Sequence, residues 1–142
     1  MRSRARPART QPFSIRLGEQ ADLLVREEGR RSGRSRSVVV EELAEEAAKT
    51  RLFPGIAFRD APRRAWAIGS GLDVWEIVDL LRSYDGDEDS LRASHPLVTE
   101  RHLQLAHAYA DRFPEEIEAI LEEQHRPLDE LRELYPFIRV AE

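Results

Sequence analysis

Two features are missing from this chain, and each excludes a class of protein. Cysteine is absent from the 142 residues, which excludes disulfides, thiol nucleophiles and thiolate metal sites. No apolar run approaches the roughly 18 residues that a membrane span needs, and no signal-peptide core follows the N-terminus. These absences predict a cytoplasmic protein that does not enter a membrane. The length suits one ordinary domain or two small ones.

Residue patterns for catalysis or metal binding are also missing. The sequence has no nucleophile beside a base, no phosphate-binding loop and no cluster of metal ligands, so we predict no enzyme, no cofactor and no metal site. His102 and His107 are five residues apart, a poor spacing for zinc ligands on one helix face. An EF-hand loop starting at Asp85 would need glycine and glutamate where Ser90 and Pro96 stand. A small enzyme or an RNA-binding module built on residues 55–126 is the least favoured alternative.

Charge is distributed unevenly along the chain. Residues 1–36 contain ten arginines and four acids, a net charge of +6, whereas residues 37–142 contain 12 basic residues and 23 acids, a net charge of −11. The two sums give the −5 of the whole chain. A basic head on an acidic body indicates two partners of opposite charge. Residues 1–11 are expected to be a disordered basic arm, which either contacts nucleic acid or is simply solvated.

Residues 12–51 predict a strand, a helix, a turn and a second helix. Period-two alternation puts Phe13, Ile15 and Leu17 on one face of the strand, with Ser14 and Arg16 on the other. The first helix follows Gly18 and ends at Gly33, and the second is capped by Ser35 or Ser37 and ends near Leu52. One strand and two short helices cannot close a core alone, so this stretch predicts a partner chain. The predicted dimer core comprises Phe13, Ile15, Leu17, Val39, Val40 and Leu43.

The polar residues of this stretch suit DNA. An exposed arginine on a two-stranded ribbon, here Arg16, can bond both O6 and N7 of guanine, and Ser14 can bond a base edge. The start of the second helix offers free N–H groups to a phosphate. A capped helix with solvated arginines is the alternative interpretation of that turn. The candidate DNA-binding residues are Ser14, Arg16, Arg34, Ser35, Arg36 and Ser37.

Residues 12–50 resemble a ribbon-helix-helix domain of the CopG/Arc/MetJ type. The resemblance depends on Ile15, Arg16 and Leu17 and, at the family's usual separation, on Gly33, Arg34, Ser35, Arg36 and Ser37. It implies that two chains pair their strands into an antiparallel ribbon, that four helices share one core, and that the ribbon enters the major groove of operator DNA. Ala21 and Gly29 depart from the family pattern, which implies a thinner core in the first helix.

The acidic body predicts a β-hairpin over residues 55–68 and then several helices. Asp73 caps or begins the first expected helix, and the others begin at Ser90, after Thr99 and at Pro114. The apolar face of the first helix comprises Val74, Ile77, Val78 and Leu81. In the helix after Thr99 the apolar face comprises Leu103, Ala106, His107 and Ala110, with Tyr109 beside it. Residues 55–121 resemble the domain of unknown function 433. The matching positions are Pro54, Gly55 and Ile56, then Leu72, Asp73, Val74 and Trp75, then His95, Pro96 and Leu97, and residues 106–110. That resemblance implies a small winged or three-helix domain, found in antitoxins that are encoded beside a PIN-like nuclease.

The C-terminal segment, residues 127–142, is predicted to be a short helix followed by an apolar tail. In a toxin-antitoxin pair, Phe137, Ile138 and Arg139 are the candidate toxin-binding residues, because an arginine can pair with the metal-binding carboxylates of a PIN-type nuclease. A tail that packs on its own domain is an equal alternative.

The sequence as a whole predicts a mainly α chain in four parts. These are a basic arm at 1–11, a ribbon-helix-helix domain at 12–52, a small winged or three-helix-like domain with a β-hairpin at 53–126, and a C-terminal segment at 127–142. The expected function is that of a type II antitoxin, which binds operator DNA as a homodimer, represses its own operon and neutralises a PIN-like ribonuclease toxin. The alternative is a stand-alone CopG-class transcriptional regulator whose second domain oligomerises or senses a ligand.

Overall fold

Helices dominate the computed structural model, which describes residues 10–60, 62–135 and 137. In chain order its elements are α1 (Glu19–Ser32), α2 (Arg36–Leu52), β1 (Ile56–Arg59), β2 (Arg64–Ala67), α3 (Val74–Ser83), α4 (Glu88–Ser94), α5 (Glu100–Arg112), α6 (Pro114–Gln124) and α7 (Leu128–Leu134). The prediction of a mainly α chain with a β-hairpin in its second part is confirmed. No helix among the described residues is both long and apolar enough to cross a bilayer. Residues 1–9 of the basic arm lie outside the described residues.

Helices α1 and α2 begin and end where local sequence signals predict. Gly33 ends α1 with a φ of 70°, in the left-handed region that glycine adopts at least cost. Ser35 caps α2, because its Oγ accepts a hydrogen bond from the Val38 N–H at 3.4 Å. The run of three valines that follows favours strand by local propensity. It is nevertheless helical, because strong helix formers continue the same helix.

The predicted strand at residues 12–17 is absent from the single chain. Residues 10–18 are described with neither helix nor strand. A strand needs a neighbour for its backbone N–H and C=O groups, and the two strands that the structure does describe pair with each other. The ribbon-helix-helix arrangement is therefore not present in one chain, and its ribbon would require a second.

The chain divides into two compact units, Met1–Ala44 and Glu45–Glu142. The division falls inside α2, whereas the sequence placed the domain boundary after Leu52. The reason lies in the contacts of the last turns of α2. Glu46 accepts hydrogen bonds from Arg63, and Lys49 donates one to Glu116 at 2.9 Å. These contacts make the end of α2 part of the second unit.

The core of the second unit lies where α3, α5 and α6 contact each other, with β2 against α3 and α5. The hairpin is in register from Ile56 opposite Ala67 to Arg59 opposite Arg64. The predicted inner face of α3 is confirmed, since Val74, Ile77, Val78 and Leu81 are all buried. The other buried apolar residues of this core are Ile56, Ala65, Ala67, Leu91, Val98, Leu103, Ala106, Tyr109, Ile117 and Leu121.

Two details of the predicted second unit are wrong. Helix α4 begins at Glu88 rather than Ser90, because the side chain of Asp87 caps it. On α5 the sequence placed His107 on the apolar face and Tyr109 beside it. The structure buries Tyr109 completely and leaves His107 exposed. Burial of Tyr109 is possible because its hydroxyl donates a hydrogen bond to Glu116 Oε1 at 2.8 Å.

Candidate nucleic-acid interface

The turn between α1 and α2 carries four of the predicted DNA-binding residues. They are Arg34, Ser35, Arg36 and Ser37, and all four are exposed. Ser35 is occupied as the cap of α2, which satisfies the capping interpretation of this turn. Capping leaves the arginine side chains available, so the same turn can end one helix, begin the next and present positive charge.

Carboxylates of the same unit hold two of these arginines. The Arg34 guanidinium hydrogen-bonds to Glu42. Arg36 Nη2 lies 2.5 Å from Asp22 Oδ1, and Arg26 Nη2 lies 2.9 Å from Asp22 Oδ2. Asp22 therefore forms ion pairs with two arginines at once. Exposed ion pairs of this kind contribute roughly 0–1 kcal/mol each, so a more strongly charged anion can replace the carboxylates.

A groove of about 360 Å³ lies between α1 and α2 and is lined by Val25, Arg26, Gly29, Arg30, Arg34 and Arg36. We call it the arginine groove. The sequence pointed to the arginines of the turn but missed Arg26 and Arg30. Their spacing of four along α1, which places them on one helix face, is the signal that could have found them.

Ser14 and Arg16 lie in the segment without helix or strand, and both are exposed. Neither side chain has a hydrogen bond or ion pair with any residue that the structure describes. Phe13 and Ile15, which alternate with them, are 82% and 62% exposed. The structure therefore does not bring Ser14 and Arg16 together with the turn at α2. It leaves alternating apolar and polar residues exposed in a segment without helix or strand.

The remaining predicted dimer-core residues are unevenly covered. Val39 is buried, Leu17 and Val40 are half-buried, and Leu43 is exposed. Leu23 and Leu24 of α1 are exposed as well. A unit of this size with so many exposed large apolar side chains has not buried the surface that a stable domain needs.

Lys49 is a buried charge that the sequence analysis missed. It is the only lysine of the chain, and 8% of its surface is exposed. Its Nζ lies 3.0 Å from Glu45 and 2.9 Å from Glu116, and 4.5 Å from the centre of the Phe113 ring. Burial lowers the pKa of Lys49, but the two carboxylates outweigh burial and raise it overall. A single lysine in an arginine-rich chain was the available signal.

Three of the four histidines each have a separate polar partner, and His95 lies edge-on to the Tyr84 ring. His102 Nδ1 accepts a hydrogen bond from the Thr99 N–H at 3.0 Å, while its Nε2 lies 2.8 Å from the Ile68 carbonyl oxygen and so carries the proton. His107 pairs with Glu88, and His125 pairs with Asp79. The described part of the chain contains no group of three or more residues able to hold a metal ion.

The candidate toxin-binding residues are only partly described. Phe137 is 79% exposed and lies edge-on to Tyr135. Ile138 and Arg139 lie outside the described residues. Helix α7, which precedes them, buries none of its residues.

Comparison with known proteins does not assign the chain to a family. No protein-family model, curated protein or solved structure matches the chain.

Proposed function

We propose that this protein is a homodimeric, operator-binding repressor that acts as the antitoxin of a type II toxin-antitoxin pair. The observation that carries the proposal is the exposure of Phe13 and Ile15, which alternate in the sequence with the exposed Ser14 and Arg16. The ribbon-helix-helix resemblance predicts that arrangement for one half of a ribbon. The fold proposed for the dimer is the one that this resemblance implies.

The dimer follows from surface that one chain leaves uncovered. Fully burying a side chain such as phenylalanine or isoleucine contributes about 1.5–3 kcal/mol, and Phe13 and Ile15 gain only the smaller part of this in the single chain. Pairing with the same segment of a second copy would also satisfy the backbone groups of residues 12–17. A second copy of the chain would therefore both bury these apolar side chains and pair the backbone of the segment.

DNA binding follows from the opposite face of that ribbon and from the turn at α2. Pairing that buries Phe13 and Ile15 would project Ser14 and Arg16 outward, in reach of base edges. Arg34 and Arg36 would contact the flanking phosphates. Two-fold symmetry predicts an operator with inverted repeats.

The antitoxin role follows from the acidic body. Residues 37–142 carry a net charge of −11, which disfavours DNA and favours a basic partner. The resemblance to the domain of unknown function 433 supports a PIN-like ribonuclease as that partner, with Phe137, Ile138 and Arg139 among the contacts. A stand-alone regulator whose second unit oligomerises or senses a ligand is the alternative.

The dimer is tested by sedimentation of the full chain. We expect wild type to sediment as a dimer and Ile15→Asp to dissociate, because the new charge would be buried in the ribbon. Leu97→Asp is the matched control, since Leu97 is 68% exposed but lies in the second unit. A wild-type chain that remains monomeric and folded at micromolar concentration would contradict the shared core.

DNA binding is tested by fluorescence anisotropy on the DNA upstream of the coding sequence. Arg16→Ala should cost roughly 1–3 kcal/mol and relax specificity at one base position, whereas the exposed Arg51→Ala should change little. Deleting the basic arm should weaken binding to all sequences and reduce its salt dependence. If wild type does not bind this DNA, or binds it independently of salt, the proposed repressor function is contradicted.

The antitoxin role is tested by co-expression with a neighbouring nuclease gene. We expect a stable complex and relief of the growth arrest that the nuclease causes. Arrest that continues despite equal expression would leave the stand-alone regulator as the better function.

A further inference from the structure

The arginine groove between α1 and α2 contains more positive charge than its own unit neutralises. We propose that it is a phosphate-binding site and that Asp22, which pairs with two of its arginines in the free protein, competes with phosphate for them. The proposal extends the candidate interface from the turn to Arg26 and Arg30 of α1.

The lining of the groove supports an anion. Four of the six lining residues are arginines, and the other two, Val25 and Gly29, are apolar. Its volume of about 360 Å³ holds on the order of ten water molecules, which is room for a phosphate group with part of its hydration shell. Guanidinium groups bind phosphate through two parallel hydrogen bonds, which makes arginine the preferred side chain for this ligand.

The charge balance identifies Asp22 as the competitor. Asp22 pairs with Arg26 and with Arg36, and Glu42 pairs with Arg34. Arg30 has no ion pair or side-chain hydrogen bond to any residue that the structure describes. Four guanidinium groups therefore face two carboxylates. Asp22 Oδ1 is buried beside Arg36 without an aligned hydrogen bond, so this pair is weaker than its short distance suggests.

A phosphate would neutralise the positive charge of the groove that the two carboxylates leave unpaired. It carries more acceptor oxygens than one carboxylate and, as a terminal group, nearly two negative charges. It could bond Arg30 while releasing Arg26 and Arg36 from Asp22. The phosphate could belong to the DNA backbone or to a free phosphate compound, and the two sources share this chemistry.

The test is a titration of the full chain with sodium pyrophosphate, followed by NMR at the amide and guanidinium signals of α1 and α2. We expect saturable shifts centred on Gly29 and the four groove arginines. Arg30→Ala should weaken binding about fivefold, as loss of one ion pair allows. Asp22→Asn should tighten it by a similar factor because the competitor is gone. Arg51→Ala and Asp111→Asn, which change exposed charges elsewhere, are the matched controls.

Two results would overturn the proposal. One is binding by Arg30→Ala and Asp22→Asn that equals wild type, and the other is an equal loss in Arg51→Ala, which would indicate only general surface charge. Because Arg30 is exposed on a helix, alanine there retains the fold, and circular dichroism checks both variants.

Parallel DNA titrations separate the two sources of phosphate. If pyrophosphate binds in the groove and DNA does not bind at all, the groove stands as a site for a free phosphate compound while the proposed repressor function fails. If DNA binds and Arg30→Ala does not weaken it, and pyrophosphate leaves the groove unshifted, the groove proposal fails and the repressor function stands.

Discussion

Replacing Lys49 by methionine should destabilise the second unit by about 2 kcal/mol. Methionine keeps the apolar stem but loses the hydrogen bond to Glu116, and a hydrogen bond to a charged group contributes about 1.5–3 kcal/mol. It also loses the position above the Phe113 ring, worth about 0.5–2 kcal/mol. Relief from burying an ammonium group offsets part of both losses. The pair with the exposed Glu45 adds little.

The assay is urea denaturation followed by tryptophan fluorescence. Both tryptophans of the chain, Trp66 and Trp75, lie in the second unit and are half-buried, so their emission reports the unfolding of that unit. With an m-value of roughly 2 kcal/mol/M, the midpoint should fall by about 1 M. Arg51→Met is the control, because Arg51 belongs to the same helix but is exposed. A midpoint for Lys49→Met equal to that of the control would refute the contribution of the buried ion pair.

Three further results are expected. Because the pKa of Lys49 is raised in the folded chain, its contribution to the free energy of unfolding is fully present below the unfolded pKa of about 10.4 and is lost as pH rises through the folded pKa. The stability difference between wild type and Lys49→Met should therefore be constant near neutral pH and shrink above roughly pH 10.5. A difference that instead shrinks toward neutral pH would contradict the raised pKa. Gly33→Ala should lower the thermal stability of the helices, seen by circular dichroism, by about 1 kcal/mol because of the positive φ of Gly33, and Gly33→Asn should cost less; equal stability of wild type and Gly33→Ala would contradict the left-handed turn. Thr99→Ala should cost about 1 kcal/mol in urea through loss of the cap of α5, whereas Thr99→Ser should retain most of it, and an equal loss in both variants would show that the hydroxyl is not the cause.

Local features of this protein were predictable because their causes are local. The glycine that ends α1, the serine that caps α2 and the apolar face of α3 depend on residues within one or two turns. Each follows from helix periodicity, capping chemistry or backbone freedom. The polar turn of the candidate interface was found for the same reason, since its members are consecutive in the sequence.

The errors have tertiary causes. Burial of Tyr109 in place of His107 depends on Glu116, which accepts the tyrosine hydroxyl from the next helix. The strand predicted at residues 12–17 is not an error of the same kind: it is not formed in the single chain, where the segment has the alternation of a strand but no neighbour. Alternation shows which face of a strand is apolar, and it cannot supply the backbone partner that makes the segment a strand.

The amino-acid sequence alone determined the limits of α1 and α2, the hairpin and the separation of a basic head from an acidic body, because these depend on neighbouring residues and on composition. Tertiary structure decided which charges meet. Asp22 reaches Arg36 across the turn, and Lys49 reaches Glu116, which is 67 positions away. Such pairs form only when packing brings distant side chains within hydrogen-bond distance. They decide how the arginine groove is neutralised and where the second unit begins.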